Sequence, residues 1–277
     1  MRLNKCLKLL VVFVTLIAVS FCTSCKNDHV IEVCASRLPH ADLLENCVAD
    51  ILAEQGYELK VTVLDWTLQN SSVALGDYDA NYFQHIPFLN DYNGKTKLFP
   101  VCKVHYEPLG IYRGSFNGEL KDGKTFVICN DTSNAIRALN LLYANEVIPY
   151  VPVENDKLTF SSSSYIFENG VTVTLVAEEL LVVSMRDYDF ACLPCNTVFT
   201  GNVDTSKKVA EEESVELVSG NANVLAARLD DYNNDEKYRA KIDALADALL
   251  SEEVRNYILE KYSGAIACNE YTQIDLR

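Results

Sequence analysis

The sequence predicts an α/β protein of two lobes with a ligand cleft between them. Strand, helix and strand follow one another between Val30 and Leu64, which is a βαβ unit and calls for a right-handed crossover in a parallel sheet. Turn-rich breaks near 113–124 and 199–223 divide the chain. Amphipathic helices then close it, so the chain leaves its first lobe, builds a second and returns. The expected boundaries are 1–24 for a leader, 25–112 for the first lobe, 113–218 for the second and 219–277 for the return.

Each element has its reason. Val30–Ala35 reads as a strand, Ser36–His40 as a loop, and Ala41–Gln55 as a helix with Leu43, Leu44, Cys47, Val48, Ile51 and Leu52 on one face, ended by Gly56. Leu59–Leu64 is the next strand. Ligands of such sheets sit at the carboxyl ends of strands, which here are the loop ending at His40 and the loop Asp65–Asn70. The latter holds Trp66, the sole tryptophan, read as a core ring or a site ring. Gly76-Asp-Tyr-Asp-Ala-Asn-Tyr-Phe-Gln-His85-Ile-Pro-Phe-Leu89 reads as a loop opening into a short helix. It gathers Asp77, Asp79 and Asn81 with Phe83, His85 and Phe88, and is either a core element or one wall of a site for a small amphiphilic ligand. Pro87 falls early in that helix, where a missing N–H costs little.

Leu98–Val104 is a strand, followed by His105–Tyr112 and the first break. Thr125–Cys129 is a strand. Asn130–Asn134 is a capping loop in which Asp131 or Ser133 accepts from free N–H groups of the next helix. Ile136, Leu139, Leu142 and Tyr143 mark that helix's buried side. Arg137, read in its first turn, is either solvated or poised over an anion at the helix N-terminus. Val171–Val176 is a strand, Glu178–Tyr188 a helix and Asp189–Leu193 a strand, which puts Asn196 at a strand's carboxyl end. Lys207–Glu216, with its three successive glutamates, reads as a solvated face or loop. Val224–Leu229 is a strand; Glu236–Leu250 and Glu252–Tyr262 are helices.

Composition sets exclusions. At 277 residues, 49% hydrophobic and 23% charged, the chain is globular. A net charge of −15 argues against nucleic acid and against an anionic membrane surface as electrostatic partners. The basic start Met1–Lys8 and the apolar run Leu9–Phe21 form an export signal, too short to span a membrane. Without its Arg2, Lys5 and Lys8 the mature part has 21 basic and 39 acidic residues, net −18. Ser24 before Cys25 suits cleavage and lipidation at Cys25, with Cys22 the other candidate and a plain signal peptide the other reading. Removing Cys6, Cys22 and Cys25 leaves Cys34, Cys47, Cys102, Cys129, Cys192, Cys195 and Cys268, an odd number that cannot all pair. Most lie on strands or an apolar helix face, where Cys acts as a small hydrophobe. Cys192-Leu-Pro-Cys195 has C-x-x-C spacing, but a single such pair is weak evidence for metal or redox work.

Several blocks together resemble the NlpA/MetQ family of lipoproteins, methionine-binding components of ABC importers. Gly76–Leu89 follows the family's GD-D-N-FQH-P-(Y/F)-L pattern; Asn130-Asp-Thr-Ser-Asn-Ala-Ile-Arg-Ala-Leu-Asn-Leu-Leu142 is similar to its ND-x-x-N-x-x-R-A-L-x-L-L signature. His105-Tyr-Glu-Pro-Leu-Gly-Ile-Tyr112 resembles its H-x-EP-x-G-x-Y strand, and Leu193–Thr197 the segment that carries an Asn. The resemblance implies a two-lobed periplasmic-binding-protein-like fold closing on a free amino acid. Arg137 would pair its bidentate fork with the ligand carboxylate, Asn134 and Asn196 would bond the head groups, and Tyr112 would close the site. Trp66, Phe83, His85 and Phe88 would wall the side-chain pocket, a surface suited to a thioether. The first loop departs from the family's Gly-rich form, with His40 kept and the glycines absent, and Trp66 and Phe88 stand where Tyr is often found. Methionine is therefore the leading ligand, with another amino acid or a short peptide as alternatives. The implied partners are that ligand, an ABC permease and a lipid anchor on the outer or periplasmic face of a bacterial membrane, without nucleic acid. The other reading is a surface lipoprotein of the same fold acting through protein contacts. No nucleophile block, paired catalytic carboxylates or glycine-rich phosphate loop is present, so no enzyme, cofactor or metal centre is expected.

Overall fold

A computed structural model describes residues 28–213, 220–262 and 265–277. The leader, the lipidation position Cys25 and part of the return segment lie outside the described residues. The strands in chain order are β1 Val30–Ala35, β2 Glu58–Val63, β3 Ala80–His85, β4 Leu98–Tyr106, β5 Leu109–Arg113, β6 Thr125–Cys129, β7 Val153–Glu154, β8 Lys157–Leu158, β9 Ser164–Ile166, β10 Thr172–Val176, β11 Phe190–Pro194, β12 Lys208–Glu211, β13 Ala222–Arg228 and β14 Ile274–Asp275. They form two six-stranded sheets, β14-β4-β13-β3-β1-β2 and β12-β5-β11-β6-β10-β9, and a β7-β8 hairpin. The expected βαβ unit is there: β1 runs parallel to β2, Val30 opposite Glu58. The sheet as a whole is mixed, because β13 returns antiparallel to both β3 and β4.

Both sheets are covered on both faces, which is why several strands read as unbroken apolar runs. On β6, Phe126 and Ile128 join one core with Leu139 and Leu142 of the helix Thr132–Ala144. Val127 and Cys129 point the other way, into a cluster with Leu181 and Val198. On β1, Ile31 and Val33 pack with Leu44, Val48 and Leu52 and with Leu245 and Leu249 of the helix Glu236–Leu249, while Cys34 packs oppositely with Val73 and Val224. All seven cysteines from Cys34 to Cys268 are free thiols, six of them buried. Cys192 and Cys195 are not bridged.

Four expectations are corrected. Leu109–Arg113, expected at the end of the first lobe, pairs with β11 and β12 in the second sheet. The turn-rich stretch after 113 is a connection within the second lobe. Asp65–Asn70 is no loop: it starts the helix Trp66–Leu75, with Asp65 accepting from Thr67 N–H at 2.9 Å. Gly76 ends that helix at φ +86°, a left-handed conformation that favours glycine. Ala80–His85 is a fully buried strand, not a loop, and only then does the helix Ile86–Asn90 begin. Within Lys207–Glu216, expected to be solvated, Lys208–Glu211 is β12 and Glu212 is buried, while residues 214–216 lie outside the described residues.

The acceptors Asp79 and Asn81 serve the fold. Asp79 takes the buried Lys241 ammonium at 2.6 Å and the Glu32 N–H at 3.0 Å. Lys241 also donates to Val30 O at 2.9 Å, which fastens the helix Glu236–Leu249 to the first sheet. Asn81 donates to Asn70 Oδ1 at 2.9 Å. Because both members of the Lys241–Asp79 pair are buried, Lys241→Ala strands a carboxylate away from its cation. We expect a loss of about 3–5 kcal/mol in unfolding free energy, read from the shift of the urea midpoint at constant slope.

Candidate functional site

The carboxyl ends of β1, β3, β4, β6, β10 and β11 meet between the two sheets, and the residues just beyond them enclose a cavity of about 50 Å³. That volume holds on the order of four water-sized groups. Its lining is Ser36, Trp66, Phe83, Gln84, His85, Phe88, Glu107, Asn134, Arg137, Glu178, Pro194, Asn196 and Asn223.

The first lobe supplies an aromatic wall. Phe83 and His85 share one face of β3 by its two-residue period. Phe88 is the hub, with ring centroids 5.1 Å from Trp66, 5.8 Å from Phe83 and 6.3 Å from His85. His85 caps its own short helix, Nδ1 accepting from Phe88 N–H at 3.2 Å, so Nε2 carries the proton and donates to Asn134 Oδ1 at 3.0 Å across the cleft. Burial, with the neighbouring Arg137, pushes its pKa down to about 4, and the ring is neutral. Trp66 and Phe88 also line an outer pocket of about 200 Å³.

The second lobe supplies charge. Asp131 caps the helix Thr132–Ala144 by accepting from Asn134 N–H at 2.9 Å, which sets Asn134 and Arg137 over the cavity. The Arg137 fork is already engaged: Nε donates to Glu212 Oε1 at 3.0 Å, and Nη2 to Glu212 Oε2 at 2.6 Å and Glu107 O at 3.0 Å. Nη1 donates to Asn134 Oδ1 at 3.1 Å. Glu212 further accepts from Tyr106 Oη at 2.7 Å and Leu109 N–H at 2.9 Å. Burial raises its pKa, and Arg137 with these donors outweighs burial, holding the carboxyl below the usual range. An internal carboxylate thus occupies the Nε–Nη2 edge of the fork.

Two acidic groups face the cavity. Glu107 is saturated: Oε1 meets His105 Nε2 at 2.8 Å and His40 Nε2 at 3.3 Å, and Oε2 accepts from Asn196 N–H at 2.9 Å. Burial raises it, and the imidazoles with the Asn196 N–H bring it below its ordinary value. His40, bonded also to Asn223 Oδ1 at 3.2 Å, is pushed down to about 4 by burial. His40, His105 and Glu107 place donor atoms within 4.8 Å of one another, the spacing of a metal cluster. His105 Nε2 is already hydrogen-bonded to Glu107, His40 Nε2 to Asn223, and Tyr82 holds the far nitrogen of His105. The second acid, Glu178, opens the helix Glu178–Ser184, and its Oε1 accepts from Thr197 Oγ1 at 2.7 Å and Asn196 Nδ2 at 3.2 Å. Burial, then Asp131 and Glu107, push its pKa up to about 7.

Seven of the eight residues expected from sequence therefore line one cavity: Trp66, Phe83, His85, Phe88, Asn134, Arg137 and Asn196. Tyr112 does not. It lies on β5 and packs with Val127, Cys129 and Leu193, because the chain had already crossed lobes before reaching it. Glu107, Glu178 and Asn223 were missed. The strand-end rule that marked Asn196 also marks Glu178, two residues past β10. Asn223 escapes that rule because β13 runs the other way.

A family model described as NlpA lipoprotein matches residues 31–268. The methionine-binding lipoprotein MetQ of Bacillus subtilis (strain 168) is 32% identical over 245 residues, covering 85% of this chain and 86% of that protein. Lipoprotein Tp32 from Treponema pallidum superposes with a TM-score of 0.74 at 27% identity, over 88% of this chain and all of Tp32 (100%). The substrate-binding protein of a methionine transporter from Streptococcus pneumoniae, 21% identical, shares the fold with a TM-score of 0.75 over 87% of this chain and 95% of its own. On a match that spans most of its length, with the two-sheet fold and interlobe cavity that go with it, this chain belongs to the NlpA lipoprotein family.

Proposed function

We propose that the protein is the substrate-binding lipoprotein of an ABC importer, taking a free amino acid, L-methionine first, into the interlobe cleft and handing it to a membrane permease. The observation that carries this reading is the pairing, around one cavity, of the Arg137 guanidinium with a wall of four rings. In this reading Arg137 Nη1 and the amide of Asn134 receive the ligand carboxylate, while Nε and Nη2 stay on Glu212 as a fixed mount. The side chain lies against Trp66, Phe83 and Phe88, where a thioether sulfur is favoured at ring edges. The outer pocket behind Trp66 and Phe88 gives a longer side chain room if those rings shift. Closure draws the lobes together about the crossings at Glu107–Pro108 and after Glu211, and the closed form docks. Lobe boundaries at these crossings are part of the proposal. The role is binding, not catalysis. Its similarity to a methionine-binding lipoprotein supports the choice of methionine, and family membership supports export with a lipid on Cys25.

Isothermal titration with L-methionine, D-methionine and a panel of other amino acids tests the reading; an absence of heat with every one of them defeats it. Arg137→Ala should abolish measurable affinity, a loss of at least about 100-fold. It should also lower the melting temperature, because Glu212 loses its partner. Trp66→Ala leaves that ion pair alone and should weaken methionine by about tenfold at near-constant melting temperature. An unchanged dissociation constant in both variants would mean that methionine binds outside this cavity and would defeat the assignment of the site. Cys25→Ser should stop palmitate incorporation and move the protein from the membrane fraction to the soluble one.

A further inference from the structure

We propose that Glu178 is the receptor for the ligand's α-ammonium group and that binding expels a proton from it. This rests on the amino-acid reading of the cleft. Among the described residues two acidic side chains, Glu107 and Glu178, line the cavity, and they differ in what they have left to give. Glu107 has both oxygens satisfied by His40, His105 and the Asn196 N–H. Asp131, nearby but outside the lining, spends its oxygens on Ser133 and Asn134. Glu178 anchors Oε1 to Thr197 and Asn196, while Oε2 makes no hydrogen bond among the described residues. A carboxylate fixed by one oxygen and open at the other, lining the same cavity as Arg137, is complementary to an α-amino acid. One end meets a cation, and the other meets an anion.

The surroundings explain the proton. Glu178 faces Glu107 from the first crossing, Asp131 from the cap of the helix Thr132–Ala144, and Asn196 and Thr197 from the helix Cys195–Thr200, with Arg137 and the neutral His85 also on the cavity wall. Burial and two acidic neighbours push its pKa up to about 7 in the empty site. Below that pH it is the neutral acid. When the ammonium arrives, the Glu178 O–H bond breaks heterolytically, the proton passes to buffer, and the ligand nitrogen keeps its three hydrogens. Affinity should therefore rise about tenfold per pH unit on the acid side of pH 7 and level off above it.

Titration of L-methionine into the wild-type protein at about pH 6, in buffers of low and high ionisation enthalpy, reads the proton directly. The expected result is close to one proton released at about pH 6 and little at about pH 8. Glu178→Gln, with its fold checked by circular dichroism, should lose both the buffer-dependent heat and at least about 30-fold in affinity. The desamino analogue 4-(methylthio)butanoate should bind wild type without releasing a proton. Methionine binding whose heat is independent of the buffer at about pH 6 overturns the assignment, whatever the variant does. No heat in any buffer overturns the amino-acid reading of the cleft, and this assignment with it.

Discussion

The Arg137–Glu212 pair is the constraint on which the site depends. One guanidinium bonds the carboxylate of the segment leaving the second sheet and the backbone carbonyl of Glu107, where the chain enters that sheet. The same carboxylate bonds Tyr106 and Leu109 on either side of the first crossing. Both connections between the lobes are thus held to the helix that carries Asn134. Burying two charges is expensive, and the pair is tolerated because all four Glu212 contacts and the guanidinium fork are satisfied together. Their mutual satisfaction fixes where Nη1 stands before any ligand arrives, which lowers the ordering cost of binding.

Local chemistry made much of the molecule legible. Asp131 could be read as a cap because capping needs only its own helix, and β1 to β2 could be read as a unit because its apolar pattern is continuous. The family blocks carried the aromatic wall and Arg137. What stayed hidden was non-local. Glu212 looked solvated in a run of glutamates because its partner lies 75 residues away. The strand Ala80–His85 looked like a loop because Asn81 and Gln84 are polar, yet both are buried and bonded to Asn70. The helix Trp66–Leu75 was hidden for the matching reason, since Gln69 and Asn70 are polar residues on its buried side. Tyr112 was misplaced with its strand: nothing in the strand's own residues tells which of two sheets it joins.

Charge is distributed with the same economy. The chain is strongly acidic overall, but the cavity sets one guanidinium corner against two carboxyl groups whose pKa values are shifted in opposite directions, Glu107 down and Glu178 up. A zwitterion carries no net charge for long-range steering to act on, so discrimination falls to contacts made after encounter. Glu107, next to two imidazoles, ties the cavity to the buried contact between His40, in the segment after β1, and Asn223 on β13. The polar network and the ligand surface are therefore one object, and the seven thiols around it are packing atoms.

Trp66 is the sole tryptophan of the chain, and it sits on the wall shared by the inner cavity and the outer pocket. The whole indole emission of the protein therefore originates at one ring on the cavity wall, with no background from other tryptophans. Its colour and intensity form an optical record of how dry that wall is, which makes the cleft observable in dilute solution without a label.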